Sequence, residues 1–413
     1  MSTTKENTAQ KIREFVLQGV SPAASNTSAK EDALWQALGK TGTELWLDSG
    51  DIDAINENWT KEFTSLTTNN TLLNKEVQKG IYDDFIQEAD GLLEGMDLDQ
   101  RVTEIAFVLN ARHGLRLVEK FGADVSVELH TNLSFDLDGI LHYGRRFHEI
   151  SPEHFIVKVP FTSTGLLGAR KLREEGIRVN LTLGFSARQN VLVAKVAKPD
   201  FCNVFLGRLG GFVKQNGLGD GENVGEKTTI ASQKAVHEVG GDYREPTRQI
   251  AASMRNADQI RSLAGIDVFT MPTKVASEGK KTLSADFSDQ TGTDLPVTLS
   301  GGATPAGVKL DRLWETRDDV YRLAESLDQD VPESDHELVD RARKAGCADM
   351  FPDLSDADLD RIARDGKIPD YTFWKKRIDE AEVGIDTLMN LSGLAAFTAD
   401  QSELDDRVRG IIK

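Results

Sequence analysis

Residues 155–189 read FIVKVPFTSTGLLGARKLREEGIRVNLTLGFSARQ, and this stretch decides the fold class. The apolar run 155–159 is followed by a helical pattern over 165–175, which stops at Gly176, a residue type that commonly ends helices. A second apolar run covers residues 179–183. A strand, a helix and a second strand in this order form the unit from which parallel sheets are built.

Similar apolar runs recur on both sides of this unit, and helical patterns separate most of them. The predicted strands are residues 45–48, 63–67, 125–129, 155–159, 179–183, 202–206, 250–253 and 268–271. The segment 71–123 is too long for one crossover and predicts two or three helices. Eight strands alternating with helices predict a (β/α)8 TIM barrel. An open, doubly wound sheet is the alternative, because the pattern does not contain the strand order.

Two further segments flank the predicted barrel, which we place at residues 44–276. Residues 1–43 form a polar lead with helical tendency, broken near Pro22. Residues 277–413 begin with a loop rich in Gly, Ser, Thr and Asp and continue as an acidic helical extension. Helical periodicity covers residues 311–327, 335–345, 356–364 and 373–391. We expect a single domain over 1–413, in which the extension forms a helical cap on the barrel.

The composition limits the classes of partner. The chain of 413 residues carries a formal net charge of −18, which argues against nucleic acid or an anionic membrane as its partner. No stretch approaches the roughly 20 apolar residues that span a bilayer. Residues 1–15 have neither an apolar signal core nor the composition of a transit peptide. Two cysteines are too few for a disulfide scaffold. From these three observations together we expect a cytoplasmic protein.

The strand 155–159 contains a charged residue, Lys158, on the face opposite its apolar neighbours. An amine in an apolar strand loses hydration, which lowers its pKa and frees it to attack carbonyl groups. The alternative is a lysine at a strand end that reaches solvent or forms a salt bridge.

Polar residues also lie at the ends of other predicted strands. Asp48 and Glu128 are carboxylates at such ends, and Asn180 and Thr182 share the polar face of the strand 179–183. Asp48 could instead cap a turn, and Glu128 could pair with a basic neighbour. A parallel barrel collects its strand C-termini on one rim, where catalysis occurs in this architecture. An amine, two carboxylates and amide or hydroxyl groups at one rim are the groups that imine chemistry requires.

Two arginines follow the late strands at matching positions. Arg208 comes after the sixth predicted strand and Arg255 after the seventh. Barrel enzymes often bind phosphate at these strands, and two arginines could hold it through charge-assisted hydrogen bonds. Surface arginines of an acidic protein are the alternative.

Two other motifs predict no ligand site. Residues 217–221 (GLGDG) resemble a nucleotide-binding glycine loop, but they follow no strand and precede no clear helical pattern, which favours an ordinary loop. The four histidines of one region lack metal-ligand spacing, which favours solvated or capping histidines and no metal. They are His130, His142, His148 and His154.

Two motifs together resemble the transaldolase family, a group of class I aldolases that form a Schiff base on a barrel lysine. Residues 67–71 (TTNNT) look like the family signature T-[ST]-N-P-[ST], and residues 156–189 look like its lysine block. The resemblance covers residues 44–271. Asn70 stands where the signature has proline, and Asn203 stands where the family commonly has serine.

The resemblance implies catalytic roles for four residues. Lys158 would form the imine with a ketose donor. Asp48 would act as general acid and base on the substrate hydroxyl during carbon–carbon cleavage and formation. Glu128 and Thr182 would hold the water that relays protons at the imine step.

The resemblance also implies the binding residues. Asn69 and Asn180 would hydrogen-bond the dihydroxyacetone unit. Arg208 and Arg255, with Ser253 nearby, would bind the phosphate of the sugar. Two further residues belong to the same pocket, Asn203 and Phe205. Phe205 occupies a position where related fructose-6-phosphate aldolases carry tyrosine, which favours transfer over simple cleavage.

The function implied is that of a transaldolase, a transferase of the pentose phosphate pathway. It would move a dihydroxyacetone unit from sedoheptulose 7-phosphate or fructose 6-phosphate to an aldose phosphate, without a metal or cofactor. A homodimer is compatible with this interpretation. The alternatives are a related sugar-phosphate aldolase, a transaldolase for a variant sugar such as a sulfonated one, and a non-catalytic sugar-phosphate sensor. The presence of Lys158, Asp48 and Glu128 disfavours the sensor.

Overall fold

The computed structural model describes residues 2–20, 29–241 and 243–412, and the side chains from residue 8 onward. The lead contains two helices, α1 (Ser2–Leu17) and α2 (Ala33–Gly39). The predicted break near Pro22 lies outside the described residues.

The strands within the described residues form one closed, all-parallel barrel in which neighbours follow the chain order. They are β1 (Glu44–Asp48), β2 (Phe63–Thr67), β3 (Asp124–Glu128), β4 (Phe155–Pro160), β5 (Val179–Thr182), β6 (Phe201–Phe205), β7 (Arg248–Ala252) and β8 (Val268–Pro272). Because β1 pairs with both β2 and β8, the predicted TIM barrel is confirmed and the open-sheet alternative is wrong.

Four predicted strands extend too far at their C-terminal ends. Leu129, Leu183, Leu206 and Ser253 lie beyond the last strand residue in each case. Leu183 and Ser253 have positive φ values of 66° and 63°, so the chain leaves the extended conformation there and turns into the loops of the rim. Leu206 already begins a helix.

Helices fill the connections between strands. They are α3 (Ile52–Asn58), α4 (Asn70–Gln78), α5 (Asp83–Gly91), α6 (Leu98–Phe121), α7 (Leu137–Ile150), α8 (Ser163–Glu174), α9 (Ala187–Leu192), α10 (Leu206–Gln215), α11 (Val224–Gly240), α12 (Asp258–Ser262) and α13 (Thr273–Thr282). Short helical turns cover Thr131–Leu133 and Val193–Ala197. The expectation that no helix follows the glycine loop 217–221 is wrong, because α11 begins at Val224, after Asn223, which has a positive φ of 63° and makes no side-chain cap.

The extension contains α14 (Asp318–Gln329), α15 (Asp335–Lys344), α16 (Asp356–Asp365), α17 (Tyr371–Asp379) and α18 (Ile385–Ile411), with short turns at Ser300–Gly302, Ala306–Val308, Leu310–Leu313 and Ala348–Met350. The helix predicted over 311–327 begins only at Asp318. The single helix predicted over 373–391 is wrong, because the chain breaks at Ala381, which has a φ of 56°, and at Gly384, the N-cap of α18. No helix of the described chain has the length and apolarity needed to cross a bilayer.

Side chains fill the lower half of the barrel interior, where an ion pair and an apolar layer lie beneath the rim. Every second residue of β1 points into the barrel, and these residues are Glu44, Trp46 and Asp48. Glu44 pairs with Arg248 at the closed end, and the Trp46 ring meets the Phe201 ring of β6 in the middle, with 4.7 Å between their centroids. Asp48 therefore reaches the open end above a packed apolar layer.

A buried ion network anchors the extension to the barrel. Arg188 on α9 pairs with Asp386 at the start of α18 (2.6 Å) and with Asp349 (2.8 Å). Asp349 also pairs with Arg312 at 2.9 Å, and Ser186 donates to Asp386 at 2.6 Å. Since α9 follows the strand β5, this network fixes the start of α18 relative to the barrel rim.

Replacing Arg188 with alanine tests this anchor. The variant leaves Asp386 buried without a cation, so we expect the free energy of unfolding to fall by about 3–5 kcal/mol, as measured by urea denaturation. Arg343→Ala is the matched control, because its ion pair with Asp340 lies on the surface of the same extension. We expect that control to change stability by at most about 1 kcal/mol. Equal effects of the two variants would contradict the anchoring function.

Candidate active site

A cavity of about 280 Å³ opens at the C-terminal rim of the barrel. Its lining includes ten of the eleven residues that the sequence singled out. They are Asp48, Asn69, Lys158, Asn180, Thr182, Asn203, Phe205, Arg208, Ser253 and Arg255. The eleventh, Glu128, does not line the cavity but lies behind Lys158, with 3.7 Å between its Oε2 and the lysine Nζ.

Lys158 is buried on the inward face of β4, with 4% of its surface exposed. Its Nζ donates a hydrogen bond to the carbonyl oxygen of Thr68 at 3.0 Å. Strand pairing places Glu128 of β3 and Asn180 of β5 directly beside it. The amine therefore meets a carbonyl, a carboxylate and an amide from three neighbouring segments, while its free side faces the cavity.

Two carboxyl groups lie near this amine, Asp48 in the lining of the cavity and Glu128 behind the lysine. Burial raises the pKa of Asp48, and the positive charge of Lys158 opposes that shift. Burial likewise raises the pKa of Glu128, against the same lysine. The Thr67 hydroxyl donates to Asp48 at 2.8 Å. Because a raised pKa brings a carboxyl group closer to neutral pH, both groups are suited to give and take protons.

Asn203 determines the direction of the Thr182 hydroxyl. The backbone N–H of Gly184 donates to Asn203 Oδ1 at 3.3 Å, which turns the amide Nδ2 toward the barrel interior. That Nδ2 donates to Thr182 Oγ1 at 3.1 Å and approaches Asn180 Oδ1 at 3.5 Å. Thr182 thus accepts from Asn203 and keeps its own proton for a group in the cavity.

The two arginines lie together at one side of the cavity. Burial and the nearby charge of Arg255 lower the pKa of Arg208 to about 10. Within the described residues neither arginine forms a salt bridge, and Arg208 Nη1 is buried without a hydrogen-bond partner. The start of α10 and the loop after β7 approach so closely that a side chain on Gly207 would meet the Ser253 carbonyl oxygen at 2.2 Å. A buried arginine, Arg208, beside a more exposed one, Arg255, neither of them paired with a carboxylate of the described chain, forms a site for an anion.

The lining also includes residues outside the sequence-based set, among them Lys75, Lys367 and Phe397. Lys75 lies on α4, four residues after Thr71, another lining residue, and this helical spacing could have identified it. Lys367 and Phe397 belong to the extension, and no local pattern relates them to the rim. In the part of the chain that the structure describes, neither lysine forms a salt bridge, although most basic residues of this acidic protein do.

Comparison with known proteins agrees with this geometry. The family described as Transaldolase/Fructose-6-phosphate aldolase matches residues 45–312. The transaldolase of Chlamydia muridarum is 28% identical over 242 residues, which cover 57% of this chain and 73% of that protein. The bovine transaldolase is 29% identical over 257 residues, which cover 60% of this chain and 74% of that protein. The transaldolase of Kluyveromyces lactis is 29% identical over 256 residues, which cover 59% of this chain and 74% of that protein. The family match spans the whole barrel, as the lysine block indicated, and the chain belongs to the transaldolase/fructose-6-phosphate aldolase family.

Proposed function

We propose that this enzyme is a transaldolase that transfers a dihydroxyacetone unit from sedoheptulose 7-phosphate or fructose 6-phosphate to an aldose phosphate. The observation that carries the proposal is the buried amine of Lys158 in one cavity with Asp48 and the unpaired Arg208 and Arg255. In this role the enzyme would act in the pentose phosphate pathway in the cytoplasm.

The first step is imine formation on Lys158. The Lys158 ammonium passes one proton to Glu128, the resulting neutral amine attacks the C2 carbonyl of the ketose, and the carbinolamine that forms loses its hydroxyl as water. Glu128, 3.7 Å from the amine, supplies the proton for that departure and later takes one back when water adds to the imine. The free proton of Thr182 orients the relaying water, because the Thr182 oxygen already accepts from Asn203.

The second step breaks the C3–C4 bond of the donor. Asp48 removes the proton of the C4 hydroxyl, the electron pair of the C3–C4 bond moves toward the protonated imine, and an enamine forms on Lys158. The aldose phosphate leaves with its new carbonyl group. Addition of an acceptor reverses these movements, and Asp48 returns its proton to the new hydroxyl.

The binding residues hold the two ends of the substrate. Asn69 caps α4 by accepting from the Leu72 N–H at 2.9 Å, which leaves its Nδ2 to donate to the dihydroxyacetone hydroxyls. Asn180 faces the same end. Arg208 and Arg255 bind the phosphate with charge-assisted hydrogen bonds.

We also propose that barrel and extension form a single domain over 1–413. Phe397 and Lys367 of the extension line the cavity, and the network around Arg188 holds them to the barrel. The cavity would lose part of its wall if the extension were absent.

Borohydride reduction in the presence of fructose 6-phosphate tests the imine. We expect a covalent adduct on Lys158, located by peptide mass spectrometry, because the amine lies free on the cavity side. Lys158→Met should abolish the adduct. Lys75→Met, which removes another lysine of the same cavity, should retain it. A folded wild-type protein that gives no adduct on Lys158 would refute the mechanism.

Arg255→Ala tests the phosphate site. Loss of one charge-assisted contact should raise KM for fructose 6-phosphate about 10- to 100-fold, with a smaller effect on kcat. For unphosphorylated fructose, the concentration needed for half-maximal borohydride trapping should be the same in Arg255→Ala and the wild type. Arg261→Ala removes an exposed arginine that pairs with Asp286 and serves as the control. An unchanged KM for fructose 6-phosphate in Arg255→Ala would show that the phosphate lies elsewhere.

The acceptor requirement separates a transaldolase from its relatives on this scaffold. With fructose 6-phosphate and erythrose 4-phosphate, we expect sedoheptulose 7-phosphate to form much faster than free dihydroxyacetone appears without acceptor. Asn69 and Asn180 would retain the enamine, while the Phe205 and Phe397 rings limit water. Equal rates would indicate an aldolase. Turnover of sulfonated but not phosphorylated sugars would indicate the variant transaldolase.

A further inference from the structure

Asn70, the first residue of α4, connects the active site to the C-terminal helix through two different groups. Its backbone N–H donates to Glu128 Oε2 at 3.1 Å. Its side-chain Nδ2 donates to Gln401 Oε1 on α18 at 2.5 Å. Asn70 is 1% exposed and Gln401 is 4% exposed, so both hydrogen bonds are shielded from water.

The neighbouring groups determine the orientation of both amides. Gln401 Nε2 donates to the carboxylate of Asp405 at 2.8 Å, which turns Gln401 Oε1 toward Asn70. His130 Nδ1 accepts from the Asn132 N–H, so its proton lies on Nε2 and points to Asp405 at 3.2 Å. A line of buried hydrogen bonds therefore runs from Glu128 through α4 and α18 back to His130, two residues after Glu128.

Neither group of Asn70 is needed to begin the helix. Asn69 already caps α4 and has φ −160° and ψ 171°, the extended conformation that a residue before proline requires. Proline is favoured at the first helical position and would fit here. It would lack the N–H that reaches Glu128. Asn70 Oδ1 is buried without a partner among the described residues, an unfavourable feature that helix initiation does not explain.

The same face of α4 contacts α18 at further points. Asn74 Nδ2 donates to Glu403 at 2.9 Å, and the Thr71 hydroxyl donates to Asp400. One turn before Gln401 lies Phe397, whose ring centroid is 5.9 Å from Lys158 Nζ. The contacts of α4 therefore help to determine where α18 closes the cavity.

We propose that Asn70 is a positioning residue with two separable functions. Its backbone N–H holds the carboxylate of Glu128 beside Lys158, and its side chain fixes α18, with Phe397, over the cavity. The consequence for catalysis rests on the proposed function, because Glu128 acts there in the imine step. The positioning itself does not depend on any substrate.

The sign of the electrostatic effect follows from the groups around Glu128. Burial raises the pKa of Glu128, with a smaller contribution from Asp48 on β1, whereas Lys158 on β4 and the Asn70 N–H lower it. Arg208 on α10 also faces the carboxylate. On the α18 side lies Asp405, paired with His130. A donated hydrogen bond favours the charged carboxylate, so its removal should raise the pKa of Glu128.

Asn70→Pro and Asn70→Ala separate the two functions in the full-length protein. Asn70→Pro removes both contacts, whereas Asn70→Ala and Gln401→Ala remove only the side-chain contact. The readout is the carboxyl-carbon NMR titration of Glu128 without substrate, assigned by comparison with Glu128→Gln. We expect its midpoint to rise by about one pH unit in Asn70→Pro and to stay at the wild-type value in the other two variants.

Hydrogen exchange measures the second function. All three variants should exchange the backbone amides around Phe397 and Gln401 faster than the wild type. In the pH profile of borohydride trapping, the low-pH limb of the rate of adduct formation should shift to higher pH only in Asn70→Pro. A further test uses only the wild type and so does not depend on the folding of Asn70→Pro. In it, the Asn70 amide-proton resonance should titrate with the same midpoint as Glu128.

Three results would overturn the proposal. They are an unshifted Glu128 midpoint in folded Asn70→Pro, an equal shift in Asn70→Ala, and an Asn70 amide proton that does not follow Glu128. Failure of borohydride trapping in the wild type, with the expected titrations, would instead refute the proposed function alone.

Discussion

Burial of the Lys158 amine is the constraint on which the rest of the rim depends. A cation can be kept away from water only if polar partners replace its hydration. The closed barrel supplies these partners because strand register sets Glu128 and Asn180 directly beside Lys158, and the Thr68 carbonyl accepts from the amine. The partners are themselves buried and need their own hydrogen bonds. Buried polar groups are therefore found first on β4, then on its neighbouring strands, and finally on the extension.

Charge is distributed unevenly over this acidic protein. Despite a net charge of −18, the cavity is bordered by four basic residues without salt bridges in the described chain, Lys75, Arg208, Arg255 and Lys367. Arg188, by contrast, is paired with two carboxylates and holds the extension in place. Unpaired cations in a cavity favour an anionic ligand, whereas paired ones fix the fold. The same residue type therefore contributes to binding in one place and to architecture in another.

The extension completes the cavity from outside the region that the family shares with this chain. The family match ends at residue 312, while Phe397 and Gln401 lie on α18. Inside the matched region, Asn70 stands where the signature has proline, and it contacts α18 together with Thr71 and Asn74. Barrel and extension are thus in direct contact at this point.

The sequence by itself determined the eight strands and the polar residues at their ends, because local periodicity records which face of a strand is buried and where a polar residue such as Lys158 interrupts it. Asn69, Asn203, Phe205 and Ser253 followed only from the family resemblance. Closure of the sheet into a barrel was decided by the tertiary structure, because local periodicity contains no strand order. Only the tertiary structure decided that Glu128 lies behind Lys158, that Asn203 directs the Thr182 hydroxyl, and that α18 begins after a break and carries Phe397 to the cavity. Asn70 and Gln401 are 331 positions apart. Periodicity within one segment contains no information about a contact of that kind, which depends on how the extension packs across the closed barrel.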